Sequence, residues 1–132
     1  MTSYITKFIV TFLIFLGIDG IWLGIIAKSL YSKTIGHLLA EKANLLAALV
    51  FYIFYVIGII VFAINPALKE KSLALAIQLG AFLGFIAYAT YDLTNLATLK
   101  DWPLHVTIID ILWGTFLTGS VSFLSYLILK NK

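Results

Sequence analysis

The sequence predicts an all-α membrane protein: a four-helix transmembrane bundle with a short interfacial amphipathic helix between the first and second helices. Three observations predict it. Hydrophobic residues make up 62% of the 132-residue chain and charged residues only 11%, against about half and about a quarter in an average soluble domain. The apolar residues gather in four runs, each long enough to cross about 30 Å of hydrocarbon at about 1.5 Å per residue. The connections between the runs are too short to fold alone, so residues 1–132 read as one integral membrane domain.

An apolar surplus of this size has no soluble core to enter, because a water-soluble domain of similar length buries only about two-thirds of its unfolded surface. Helices follow from the solvent: in hydrocarbon every backbone amide must be satisfied within its own segment. The first run spans about residues 8–27, the second 45–64, the third 73–99 and the fourth 104–129. Lys7 ahead of the first run resembles the start of a signal peptide. Ala27 is followed by Lys28 instead of a small-residue cleavage site, so the run reads as a retained helix.

The stretch Lys28 to Asn44 alternates Leu30, Tyr31, Ile35, Leu38 and Leu39 with Lys33, His37, Glu41 and Lys42, the pattern of a helix lying at the surface. Asn65 and Pro66 to Lys71 read as a short polar turn. Lys100, Asp101, Trp102 and Pro103 end the third helix and put proline where the fourth can start. Lys7, Lys69, Lys71, Lys130 and Lys132 then flank one surface and Lys28, Lys33, Lys42 and Lys100 the other, a five-to-four bias toward both termini in the cytoplasm.

Several chemistries drop out early. The chain has no cysteine, which removes disulfides, thiolate metal sites and cysteine nucleophiles. Its net charge of +3 comes from nine lysines with no arginine, which suits flanks at the headgroup level and not a nucleic-acid groove. No phosphate loop and no serine-histidine arrangement is present.

What remains is a set of residues that lipid should exclude. Asp19, Asp92 and Asp110 interrupt the first, third and fourth runs, each at a cost of about 2.5 to 3.5 kcal/mol on insertion scales. They stand nine, eight and seven residues from the same surface, or roughly 10 to 14 Å deep. This predicts one layer. Gly80, Gly84, Tyr88, Tyr91 and Asn95 share a stripe with Asp92 on the third helix, and Thr107, Asp110, Gly114, Thr118, Ser122 and Ser125 share one on the fourth. Small and hydroxyl residues let membrane helices approach closely, so both stripes are expected inside.

On the first helix Phe8, Phe12, Phe15, Asp19 and Trp22 share one face while Gly17, Gly20 and Gly24 share another. Gly20 with Gly24 and Gly80 with Gly84 have GxxxG spacing, the signature of helix contacts within the chain or in a homodimer. Asp19 with Trp22 and Asp110 with Trp113 repeat an aspartate-x-x-tryptophan spacing that puts an indole on the carboxylate's face. These two tryptophans read either as pocket walls or as an interfacial belt, and Trp102 as belt. Tyr52 and Tyr55 lie at comparable depth on the second helix as hydroxyl donors, and His105 opens the fourth as a headgroup contact or a proton carrier.

The stretch YATYDLTNLATLKDWPLHVTIIDILWGTFLTG, from Tyr88 to Gly119, is similar to the signature of domain of unknown function 2177, a family of small bacterial membrane proteins. The similarity continues through IDGIWLG at Ile18 to Gly24, Tyr31 with Gly36, and FYIFYVIG at Phe51 to Gly58. The resemblance implies a four-helix protein of the bacterial cytoplasmic membrane and implies no reaction.

No lysine lies within the runs at the depth of the aspartates. Three carboxylates in one low-dielectric layer need protons or a cation to balance them. The first expectation is therefore a site for a cation, a proton or a small polar solute, with Asp19, Asp92 and Asp110 as charged ligands, Asn95, Tyr52, Tyr55 and Tyr91 as neutral partners, and Trp22 and Trp113 as walls. A lipid-modifying enzyme, acting on a headgroup by acid-base chemistry with a divalent metal, is the second. An accessory subunit whose polar layer only locks helices together is the third. The sequence assigns no cofactor, metal or catalytic residue.

Overall fold

The computed structural model of the chain describes residues 3–132, in four rods that are long and apolar enough to cross a membrane. The first rod, Tyr4–Leu38, starts where the Ser3 side chain accepts the Thr6 N–H. It comprises α1 (Tyr4–Ile21), a π turn over Trp22–Ile26, α2 (Ala27–Ile35) and a 3₁₀ turn over Gly36–Leu38. The predicted surface helix, Lys28 to Asn44, is thus helical only through Leu38 and is not separate. It continues the first rod, and Ile35 packs with Trp102 and Val106 at the start of the fourth.

The second rod begins where Asn44 caps Ala47, and runs through α3 (Leu45–Ile59), a second π turn at Ile60–Ile64 and α4 (Asn65–Glu70). The expected polar turn at Asn65 and Pro66 is helix instead. Each π turn closes on a bond five residues back, from Ala27 to the Trp22 carbonyl and from Asn65 to the Ile60 carbonyl. Widening the helix before Pro66 leaves that proline in a fresh first turn, where its missing N–H costs no bond. The chain reverses one turn later, at Lys71, which sits in the left-handed region at φ 52°.

The third rod, α5 (Leu73–Thr98), is capped by Ser72, and the fourth, α6 (Leu104–Leu129), follows Pro103. These two pack against each other along their length, and α6 also packs on α1. Phe15, Val56, Ile59, Ile64, Leu117 and Val121 make the apolar centre. The small residues on α6 face inward as expected, with Thr107, Asp110, Gly114, Thr118, Ser122 and Ser125 all buried.

Glycine is required where α5 meets α6. A Cβ on Gly84 would strike the backbone of Gly114, one on Gly80 the side chain of Ser122, and one on Gly114 the ring of Tyr88. On the first rod the opposite holds, since Gly17, Gly20 and Gly24 have nothing within 4 Å. Of the two predicted glycine faces, the one on α5 is therefore consumed inside the chain and the one on the first rod is open.

The π turn in the first rod also sets the phase of every residue beyond it. In an unbroken α-helix Asp19 and Tyr31 would lie about 120° apart, whereas one residue absorbed by the turn brings them to within about 20°. Tyr31 thereby joins the inner face.

The glycine contacts generate the first prediction. Gly84→Ala should lower stability by about 1 to 3 kcal/mol, because backbone cannot move aside, while Gly20→Ala should stay within about 0.5 kcal/mol of wild type. Thermal melts of the purified protein in one detergent check this, and equal losses for the two variants would refute the packing.

Candidate functional site

Asp19 sits on α1 between two donors from other rods. Tyr52 Oη on α3 donates to Asp19 Oδ2 at 2.9 Å, and Trp113 Nε1 on α6 donates to Oδ1 at 3.3 Å. Each bond crosses between helices, so one carboxylate holds three of them in register. Asp19 remains only 5% exposed.

Asp110 and Asp92 form a second group. The Tyr31 hydroxyl donates to Asp110 Oδ1 and accepts Trp22 Nε1 at 3.3 Å. Asp92, fully enclosed on α5, lies near the Asp110 carboxyl, and neither of its oxygens has a hydrogen-bond partner among the described residues. The expected single layer is therefore a neighbouring pair and a lone carboxylate. Asp19 bonds Trp113, one turn deeper along α6 than Asp110, because the first rod leaves the bundle at the level of Ile35 and not near Lys28.

The two groups are joined by their indoles. Trp22 and Trp113 stack with ring centroids 4.4 Å apart and planes 9° from parallel. One indole bonds Tyr31 and through it reaches Asp110, and the other bonds Asp19. A continuous run of polar and aromatic side chains thus links Asp19 to Asp92. No lysine or histidine pairs with any of the three aspartates among the described residues, and Lys28 and Lys100 are exposed.

A cavity of about 260 Å³ lies at the junction, lined by Asp19, Trp22, Tyr31, Tyr52, Tyr88 and Trp113. Phe51 also borders it and, with Ala87, Tyr88 and Tyr91, borders a second hollow of about 330 Å³. Both Phe51 and Tyr91 are exposed, so this second hollow opens sideways between α3 and α5.

Other residues singled out in the sequence lie elsewhere. Tyr55 bonds Thr118 Oγ1 at 2.7 Å, tying α3 to α6, and does not line the cavity. Tyr91 is 56% exposed and sits edge-on to Trp102, with Asn95 one turn along beside it. Trp102 is buried, donating to Thr107 Oγ1 at 3.0 Å, and is not part of an outward belt. His105 is exposed and makes no side-chain hydrogen bond among the described residues. Tyr31, which the sequence marks through the amphipathic stretch and the family resemblance, is not placed among the predicted site residues, because 3.6-residue periodicity puts it on the wrong face until the π turn is known. Tyr88 belongs to the predicted stripe but not to the predicted site.

A family model described as "Predicted membrane protein", domain of unknown function 2177, matches residues 4–127. The chain belongs to that family. No curated protein and no solved structure matches the chain. The family match spans all four rods and every residue that lines the cavity or bonds an aspartate. Among the described residues no three histidine, aspartate or glutamate side chains group closely enough to hold a metal ion.

The indole stack is open to a direct optical check. Two nearly parallel indoles in contact should couple and give a paired near-ultraviolet circular dichroism signal. Trp22→Phe or Trp113→Phe should abolish the couplet and Trp102→Phe should leave it. A couplet that survives loss of either stacked indole would contradict the geometry.

Proposed function

We propose that this family member binds a cation, or passes a proton, at a carboxylate-lined site inside the bilayer. The observation that carries the reading is Asp92. It is fully enclosed near another carboxyl, with both its oxygens unpartnered among the described residues. An uncompensated carboxylate costs several kcal/mol in a low-dielectric interior. Two neighbouring carboxyls hold together only with positive charge between them, whether a shared proton or a bound cation. Tyr31 gives that charge a route, since its hydroxyl bonds Asp110 while its ring lines the cavity. A hydroxyl that both donates and accepts can hand a proton in either direction.

The family resemblance supports the bacterial cytoplasmic membrane as the location. Self-association would use the open face of Gly17, Gly20 and Gly24, since Gly80 and Gly84 are already covered. One observation favours the accessory reading instead: Tyr31, Tyr52 and Trp113 spend their donors on aspartates in other rods, and a helix lock would do the same.

Asparagine substitution separates the two readings, because it keeps size and hydrogen-bonding capacity and removes the charge. For a cation or proton site, Asp92→Asn and Asp110→Asn should remain folded. Stabilisation of the purified protein by added cations, or by a change of pH, should then fall to background in thermal melts. A wild-type response that both substitutions leave intact would overturn the proposal and favour the lock.

A further inference from the structure

We infer that the cavity beside Asp19 is an aromatic cage for an alkylated ammonium ion, carried on an amphiphile that enters sideways from the bilayer between α3 and α5. This rests on the cation-site reading and names the class of cation.

The charge comes first. Asp19 is the acid that lines the cavity, and its two bonds come from the neutral groups Tyr52 and Trp113. Nothing cationic lines the cavity, so an occupant that brings positive charge is favoured and an anion is excluded.

The wall then selects the kind of cation. A small inorganic ion has to exchange its water shell for several oxygen ligands. Here the side-chain oxygens on the wall are few, the Asp19 carboxylate and the hydroxyls of tyrosines, and they already bond one another or helix neighbours in part. What the wall offers in quantity is π surface, from Trp22, Trp113, Tyr31, Tyr52 and Tyr88. Aromatic rings around one carboxylate suit a cation that carries methyl or methylene groups in place of a tight water shell. The space agrees. About 260 Å³ is several times the roughly 30 Å³ share of one water molecule, too roomy for a stripped monatomic ion and sufficient for a substituted ammonium group.

The second hollow explains how such a group arrives. It shares Phe51 and Tyr88 with the cage, is apolar, and faces outward beside the second half of α5, a helix long and apolar enough to cross a membrane. A head in the cage would leave its chain lying past Phe51, Ala87 and Tyr91 in the bilayer.

The test uses the full chain in detergent. Its intrinsic tryptophan fluorescence and melting temperature are followed against tetramethylammonium, hexyltrimethylammonium, ammonium and sodium chlorides at equal ionic strength. The expected result is a saturable response to tetramethylammonium, a tighter one to hexyltrimethylammonium, and none to sodium at the same concentrations. Trp22→Leu should weaken tetramethylammonium binding roughly 2- to 30-fold, and Asp19→Asn should weaken it further. Wild type alone decides if either variant fails to fold. A sodium or pH response without a tetramethylammonium response overturns the cage and leaves the carboxylate site standing. A response to no cation and no pH change removes both.

Discussion

A carboxylate carried on a lipid-crossing helix must be met by donors or by positive charge, and in this chain the donors that meet Asp19 and Asp110 come from neighbouring helices. Tyr52 reaches from α3, Trp113 from α6 and Tyr31 from α2. Removing water makes each of these bonds stronger and each failure more costly. The bundle is therefore organised around its charges as much as around its apolar centre. The unmet case is Asp92, whose oxygens have no hydrogen-bond partner among the described residues.

That arrangement depends on how closely α5 and α6 approach. Gly84 lies against the backbone of Gly114, and Gly114 in turn leaves room for the Tyr88 ring. The same glycine gap thus lets the two helices carry neighbouring aspartates one or two turns away and places an aromatic ring on the cavity wall. In lipid there is little hydrophobic force to drive helices together, so close backbone packing and polar bonds have to do it. On α5 and α6 the packing and the site share residues.

The sequence was legible where periodicity stayed regular. The tract from Lys100 to Pro103 marked the end of α5 and the start of α6, and the buried stripe from Thr107 to Ser125 follows 3.6-residue spacing. Asp19, Trp22, Trp113 and Tyr52 were found from the cost of burying charge and from depth along a straight helix. Tyr31 was marked by the family resemblance but not placed at the site, because a π turn leaves no mark in composition, and the same kind of turn hid the helix that continues through Pro66. The split of the aspartates into a pair and a single was hidden for a related reason. Counting depth back from Lys28 assumed that the first rod ended there, and it runs on to Leu38. Trp102 is buried instead of lying in an outward belt because spacing gives a face but not which neighbour covers it.

The π turn at Trp22–Ile26 has a consequence for how this chain can diverge. A turn of this kind amounts to one inserted residue, so deleting a single amino acid there would return the rod to plain α-helical pitch and swing everything beyond it by about 100°. The span would stay long and apolar enough to insert, and hydropathy would register almost no change. Yet Tyr31 and Ile35 would turn away from α6, and Asp110 would be left without its donor. Two relatives that differ by one gap at this point could thus look interchangeable by composition and still carry different chemistry, which makes the length of the Asp19-to-Tyr31 interval a more telling character for sorting the family than similarity along the helix.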